Sequence, residues 1–69
     1  MPWFELRGYR RRAGGPATTG PNDVLIFEAT HEDEAKLEAR QTWTARLPEA
    51  DFYLLKFENG EQIDTWDAD

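Results

Sequence analysis

Four arginines, Arg7, Arg10, Arg11 and Arg12, fall within a span of six residues, with Trp3 and Tyr9 near them. Guanidinium groups hold phosphates and aromatic rings stack on bases, so this spacing is chemically suited to binding a nucleic acid or another anion. The plainer reading is that arginines at a strand end keep an edge soluble and pair with acidic side chains elsewhere in the chain. Charge balance favours the second. The 69 residues carry a formal net charge of −6 and a pI near 4.6, and binding to a polyanion usually comes with a basic domain. The charge is also uneven: residues 1–22 are net +3 and residues 23–69 net −9, so the two parts can attract each other within a chain or between chains.

The other reactive side chains are few. His31 is followed by Glu32, Asp33 and Glu34, but consecutive positions at the start of a helix point in different directions and do not converge on one metal ion. Gly14-Gly15-Pro16 and Gly20-Pro21 lack the Lys-Ser/Thr and the helix start that a phosphate-binding loop requires. The chain has no serine and no cysteine, and threonine with a single histidine supplies no nucleophile, base and orienting group. No catalytic residue, metal site or cofactor is expected, and the chain reads as a non-enzyme. Removal of Met1 would expose the secondary amine of Pro2 at the start of a strand, a group that resembles the catalytic base of the small tautomerase superfamily. In that family a helix follows the first strand, whereas here a Gly/Pro-rich stretch and a second strand follow, so Pro2 reads as an ordinary second residue.

The elements that must position these groups follow from pattern. "WFELRGYR" (3–10) alternates Trp3, Glu5, Arg7 and Tyr9 with Phe4, Leu6, Gly8 and Arg10, a period of two that marks a first strand, with Gly8 as a place for a bulge. Residues 11–23, "RRAGGPATTGPND", are too rich in Gly and Pro for either regular structure and read as a long, mobile, exposed loop. "VLIFEA" (24–29) is an unbroken run of β-branched and aromatic residues, expected to form a central strand covered on both faces. From Thr30, a hydroxyl able to cap the first turn, a helix is expected to run to about Arg46, stopped by Pro48. Ala35, Ala39, Trp43 and Leu47 form its buried stripe, and Leu37 falls off it. "DFYLLKFENGEQIDTW" (51–66) is a hairpin about Asn59-Gly60. A three-residue loop with Gly60 bulged would place Leu55 opposite Ile63 and Phe52 opposite Trp66, matching apolar to apolar.

Strand, strand, helix, strand, strand makes a single two-layer α+β domain of type ββαββ spanning residues 1–69, with one helix on a mainly antiparallel four-stranded sheet. One helix covers one face, and both sides of the sheet carry large apolar side chains. The function this points to is a small protein-interaction module that self-associates, as a homodimer, or docks on a protein partner through its helix-free face. Trp3, Tyr9, Tyr53 and Trp66 are the aromatic contacts expected there, with Arg10, Arg11 and Arg12 at the rim. The alternative is nucleic-acid binding through Arg7, Arg10, Arg11 and Arg12. No leader or membrane span is recognisable, and a cytoplasmic location is the expectation.

Overall fold

The computed structural model describes residues 1–10 and 23–68. Four strands form one antiparallel sheet: β1 (Trp3–Tyr9), β2 (Asp23–Glu28), β3 (Phe52–Phe57) and β4 (Gln62–Asp67), in the spatial order β2-β1-β3-β4. A single helix, α1 (Glu32–Gln41), followed by a 3₁₀ turn at Trp43–Arg46, lies between β2 and β3 in the chain. This is the α+β, ββαββ architecture expected from the pattern.

The strand alternation of β1 sends Phe4, Leu6 and Gly8 to the helix side, where all three are buried. With Phe27 from β2, Tyr53 and Leu55 from β3, and Ala35, Ala39 and Leu47 from the helical layer, they form one core. Ala35 and Ala39 are the face of α1 turned to the sheet, Leu47 joins the core just past the 3₁₀ turn, and Trp43 within that turn packs at the margin with its ring 5.5 Å from that of Phe27. Small side chains at 35 and 39 let the helix backbone approach the sheet closely, and the aromatic rings fill the space beyond them. Gly8 does not mark a bulge: β1 pairs in unbroken register with both neighbours. Its role is one of space, since a Cβ there would lie 3.0 Å from Cβ of Ala50 and 3.4 Å from Cδ1 of Leu47.

Four further expectations are corrected. First, β2 is an edge strand, and β1 and β3 occupy the centre. Its unbroken apolar run does not signal cover on both sides, because Val24 and Ile26 point away from the helix and remain exposed.

Second, α1 ends at Gln41. The carbonyl of Arg40 accepts the Thr44 hydroxyl (3.1 Å), and the chain tightens into the 3₁₀ turn before Leu47 and Pro48. Local side-chain bonding of this kind competes with the α-helical ladder. Third, the cap is His31 rather than Thr30. Nδ1 of His31 accepts the Glu34 amide (3.2 Å), while the Thr30 hydroxyl donates to the Glu34 carboxylate and holds it below the usual carboxylate range.

Fourth, the hairpin register changes along its length. Near the turn the three-residue loop is present: Gly60 has φ +90°, its amide donates to Phe57 (2.9 Å), and Phe57 donates to Glu61 (2.8 Å). Lys56 pairs with Gln62, and the register then shifts so that Leu55 pairs with Asp64, Tyr53 with Trp66 and Phe52 with Asp67. Ile63 is the extra residue of a bulge. Because side chains alternate with period two, one inserted residue moves everything beyond it to the other face. Trp66 therefore stands under the helix beside Tyr53, and not beside Phe52 as the turn alone would dictate.

Candidate interaction face

The face of the sheet away from α1 is built by the other half of each strand's alternation. From β1 it takes Trp3, Glu5, Arg7 and Tyr9, from β2 Val24, Ile26 and Glu28, and from β3 Phe52, Leu54 and Lys56. The register sets them in rows across the strands. Ile26, Glu5 and Lys56 form one row, Val24, Arg7 and Leu54 the next, and Tyr9 stands against Phe52 at one end. The rings of Tyr9 and Phe52 are stacked, with centroids 4.9 Å apart and planes 6° from parallel. Trp3 stands at the opposite end of β1, paired with Glu28, and is 39% exposed. Ile26 is 59% exposed and Val24 50%, unusual values for aliphatic side chains in the middle of a strand.

At the centre of this apolar surface Glu5 and Arg7, two apart on one strand, form an ion pair. Arg7 also bonds to Tyr9, and these two bonds, the Tyr9 contribution first, hold the guanidinium further toward its charged form. Among the charged groups the strand pattern places on these three strands, Glu5 and Glu28 balance Arg7 and Lys56. On β4 the register adds Asp67, the partner of Phe52, so the four strands leave this face one negative charge in a chain of net charge −6.

The residues singled out from sequence separate. Trp3 and Tyr9 lie on the open face as expected. Tyr53 and Trp66 do not: Tyr53 is 5% exposed beneath the helical layer, its hydroxyl donating to the carbonyl of Leu47 (3.0 Å), and burial pushes that hydroxyl's pKa up. Trp66 packs against Tyr53 with Arg40 of α1 over its ring at 4.5 Å, and Arg40 also pairs with Asp64 (3.1 Å). The physical reason is the period-two alternation of β3 for Tyr53 and the bulge at Ile63 for Trp66.

The arginines separate too. Arg7 lies on the open face in contact with Glu5 and Tyr9, and Arg10 pairs with Glu49 in the segment leading to β3. Arg11, Arg12 and the Gly/Pro-rich stretch lie outside the described residues, which resume at Asp23, the first residue of β2. Pro2 continues the sheet ladder, its carbonyl accepting the Ala29 amide (3.2 Å). His31 and Pro2 line a depression of about 360 Å³ floored by Phe4, Phe57 and Ile63. Among the described residues no three His, Cys, Asp or Glu side chains come together in a metal-binding group, and no helix is long and apolar enough to cross a membrane.

Val24, Ile26, Phe52 and Leu54 escaped the residue list drawn from sequence. The signal was present in β1: once Glu5 and Arg7 are assigned to the outer face, the strand neighbours in their rows must share it, and only the strand order was missing. Comparison with models of protein families, with curated proteins and with solved structures gives no match in any of the three.

Proposed function

We propose that this protein is a non-enzymatic protein-interaction module whose binding surface is the helix-free face of its sheet. One observation carries the reading: Trp3, Val24, Ile26 and Leu54 surround a paired Glu5 and Arg7 on a face that no second layer covers among the described residues. A hydrophobic patch with satisfied charges at its centre has the composition of a protein interface, where aromatic and aliphatic groups are enriched and bare charges depleted. A binding surface for nucleic acid would present unengaged cations. Arg7 and Arg10 each already meet a carboxylate, which weighs toward a protein partner or a second copy.

The test is site-specific photo-crosslinking in cells, with the crosslinking side chain placed at Ile26 on the open face or at Leu37 on the exposed side of α1. Protein adducts are expected at 26 and not at 37. Adducts confined to 37, or none at either site, would overturn the reading. Adducts to RNA or DNA at 26 would transfer the face to the nucleic-acid alternative.

A further inference from the structure

Resting on the interaction-face reading above, we propose that the occupant of this face is a second copy of the same chain, related by a two-fold axis that lies between the two sheets and crosses β1 at right angles at Leu6. The argument is in the order of side chains along β1. Read in either direction, the outward row runs aromatic, charged, charged, aromatic: Trp3, Glu5, Arg7, Tyr9. A two-fold axis at the level of Leu6 reverses the row and lays it on itself. Trp3 then meets Tyr9 of the second copy, and Glu5 meets Arg7.

The neighbouring strands obey the same operation. Leu25 and Leu55 both pair with Leu6, so they lie at the level of the axis. Val24, level with Arg7, is carried over Ile26, level with Glu5. Leu54 is carried over Lys56, whose four-carbon stem can cover it while the ammonium reaches outward. On β1 the opposite charges coincide and on β2 the aliphatic side chains coincide, which is the self-complementarity an isologous interface needs. An axis running along β1 would instead set Glu5 on Glu5 and Arg7 on Arg7, so the charges select the antiparallel arrangement. A low charge on the face is a second requirement: two chains of net charge −6 repel wherever their surfaces carry that excess, and here Glu5, Arg7, Glu28 and Lys56 cancel across β1, β2 and β3, leaving Asp67 at the β4 edge.

The size of the face sets the strength. Four strands about 4.8 Å apart and six to seven residues long at about 3.3 Å each cover a footprint of roughly 400 Å² per copy. Stable interfaces use about 800 Å² per partner, so this dimer belongs with weak, concentration-dependent pairs.

The experiment is sedimentation of the full chain from about 1 µM to about 1 mM, with two charge-reversed variants, E5R and R7E. Wild type is expected to pass from monomer to dimer across this range. Each variant alone juxtaposes like charges across the axis and should raise the dissociation constant about tenfold or more. An equimolar mixture of the two should form a heterodimer, because one variant's face is then positive where the other's is negative. Glu5 and Arg7 point away from the core, and circular dichroism checks that both variants fold. Should either fail to fold, I26K, which places an unmatched charge at the same face, replaces it. Wild type that stays monomeric up to 1 mM overturns the proposal, as does a dimer indifferent to these substitutions or a mixture that does not recover association. If wild type is monomeric while crosslinks to a different protein persist at position 26, the second copy is excluded and the interaction face stands.

Discussion

The two faces of the sheet are made by the same strands, residue by residue in alternation, yet they carry different kinds of information. On the helix side Phe4, Leu6 and Leu55 are wholly buried, and the rings of Phe27 and Phe57 lie 6.0 and 5.4 Å from that of Phe4. On the open side the same strands hold Trp3, Ile26 and Val24 at the surface around a salt bridge. The covered face tolerates no charge at its centre and fixes the fold. The open face sets its charges at the centre and its apolar groups around them, which specifies how a partner sits on it. Substitutions on the first should therefore act on stability, and those on the second on association.

The sharpest break of this contrast is Phe4→Ala. Truncating a fully buried phenylalanine costs about 3–5 kcal/mol. A 69-residue domain has about 3–10 kcal/mol in total. The variant should lose half or more of the domain's stability, read as a large drop in the midpoint of thermal and urea unfolding. Gly8→Ala comes next. It keeps the backbone but pushes a methyl to 3.0 Å from Cβ of Ala50, and should destabilise by about 1–3 kcal/mol in urea denaturation with an unchanged slope.

Tyr53→Phe is smaller, about 1 kcal/mol at neutral pH for the lost bond to the Leu47 carbonyl. It also has a signature in pH. Burial raises the hydroxyl's pKa in the folded state, so the unfolded chain ionises first. Wild-type stability is full below the ordinary tyrosine value of about 10 and falls as pH rises through it toward the folded value. The phenylalanine variant should lack that alkaline slope in thermal melts from pH 8 to 11. Ile26→Ser closes the series, with a stability change within about 0.5 kcal/mol, while crosslinking and self-association through the open face should fall. A large loss of stability here would mean that the two faces are not separable.

Much of the covered face could be read from the chain. The alternation of β1, the Ala35, Ala39, Trp43 and Leu47 stripe, and the left-handed Gly60 are local signals, each decided within a few residues, and each is where it was expected. What could not be read was non-local. The position of β2 at the edge depends on which strands β1 pairs with, and nothing in "VLIFEA" distinguishes a strand flanked on two sides from one flanked on one. The end of α1 at Gln41 and the choice of His31 over Thr30 as cap were close local competitions, settled by the Thr44 and Glu34 bonds. The open face was half legible: Trp3 and Tyr9 follow from β1, whereas Val24 and Ile26 needed the strand order and Trp66 needed the bulge.

That bulge has the character of a phase shift. The turn at Gly60 fixes which residues of β4 would face which layer, and Ile63 inverts the assignment for every residue after it. Deleting one residue at this point would leave the amino acids of β4 otherwise intact and exchange their two populations, sending Trp66 outward and Thr65 inward beneath the helix. Insertions and deletions in this strand are thus governed by parity: a change of one residue turns the strand inside out, and a change of two leaves the faces as they are.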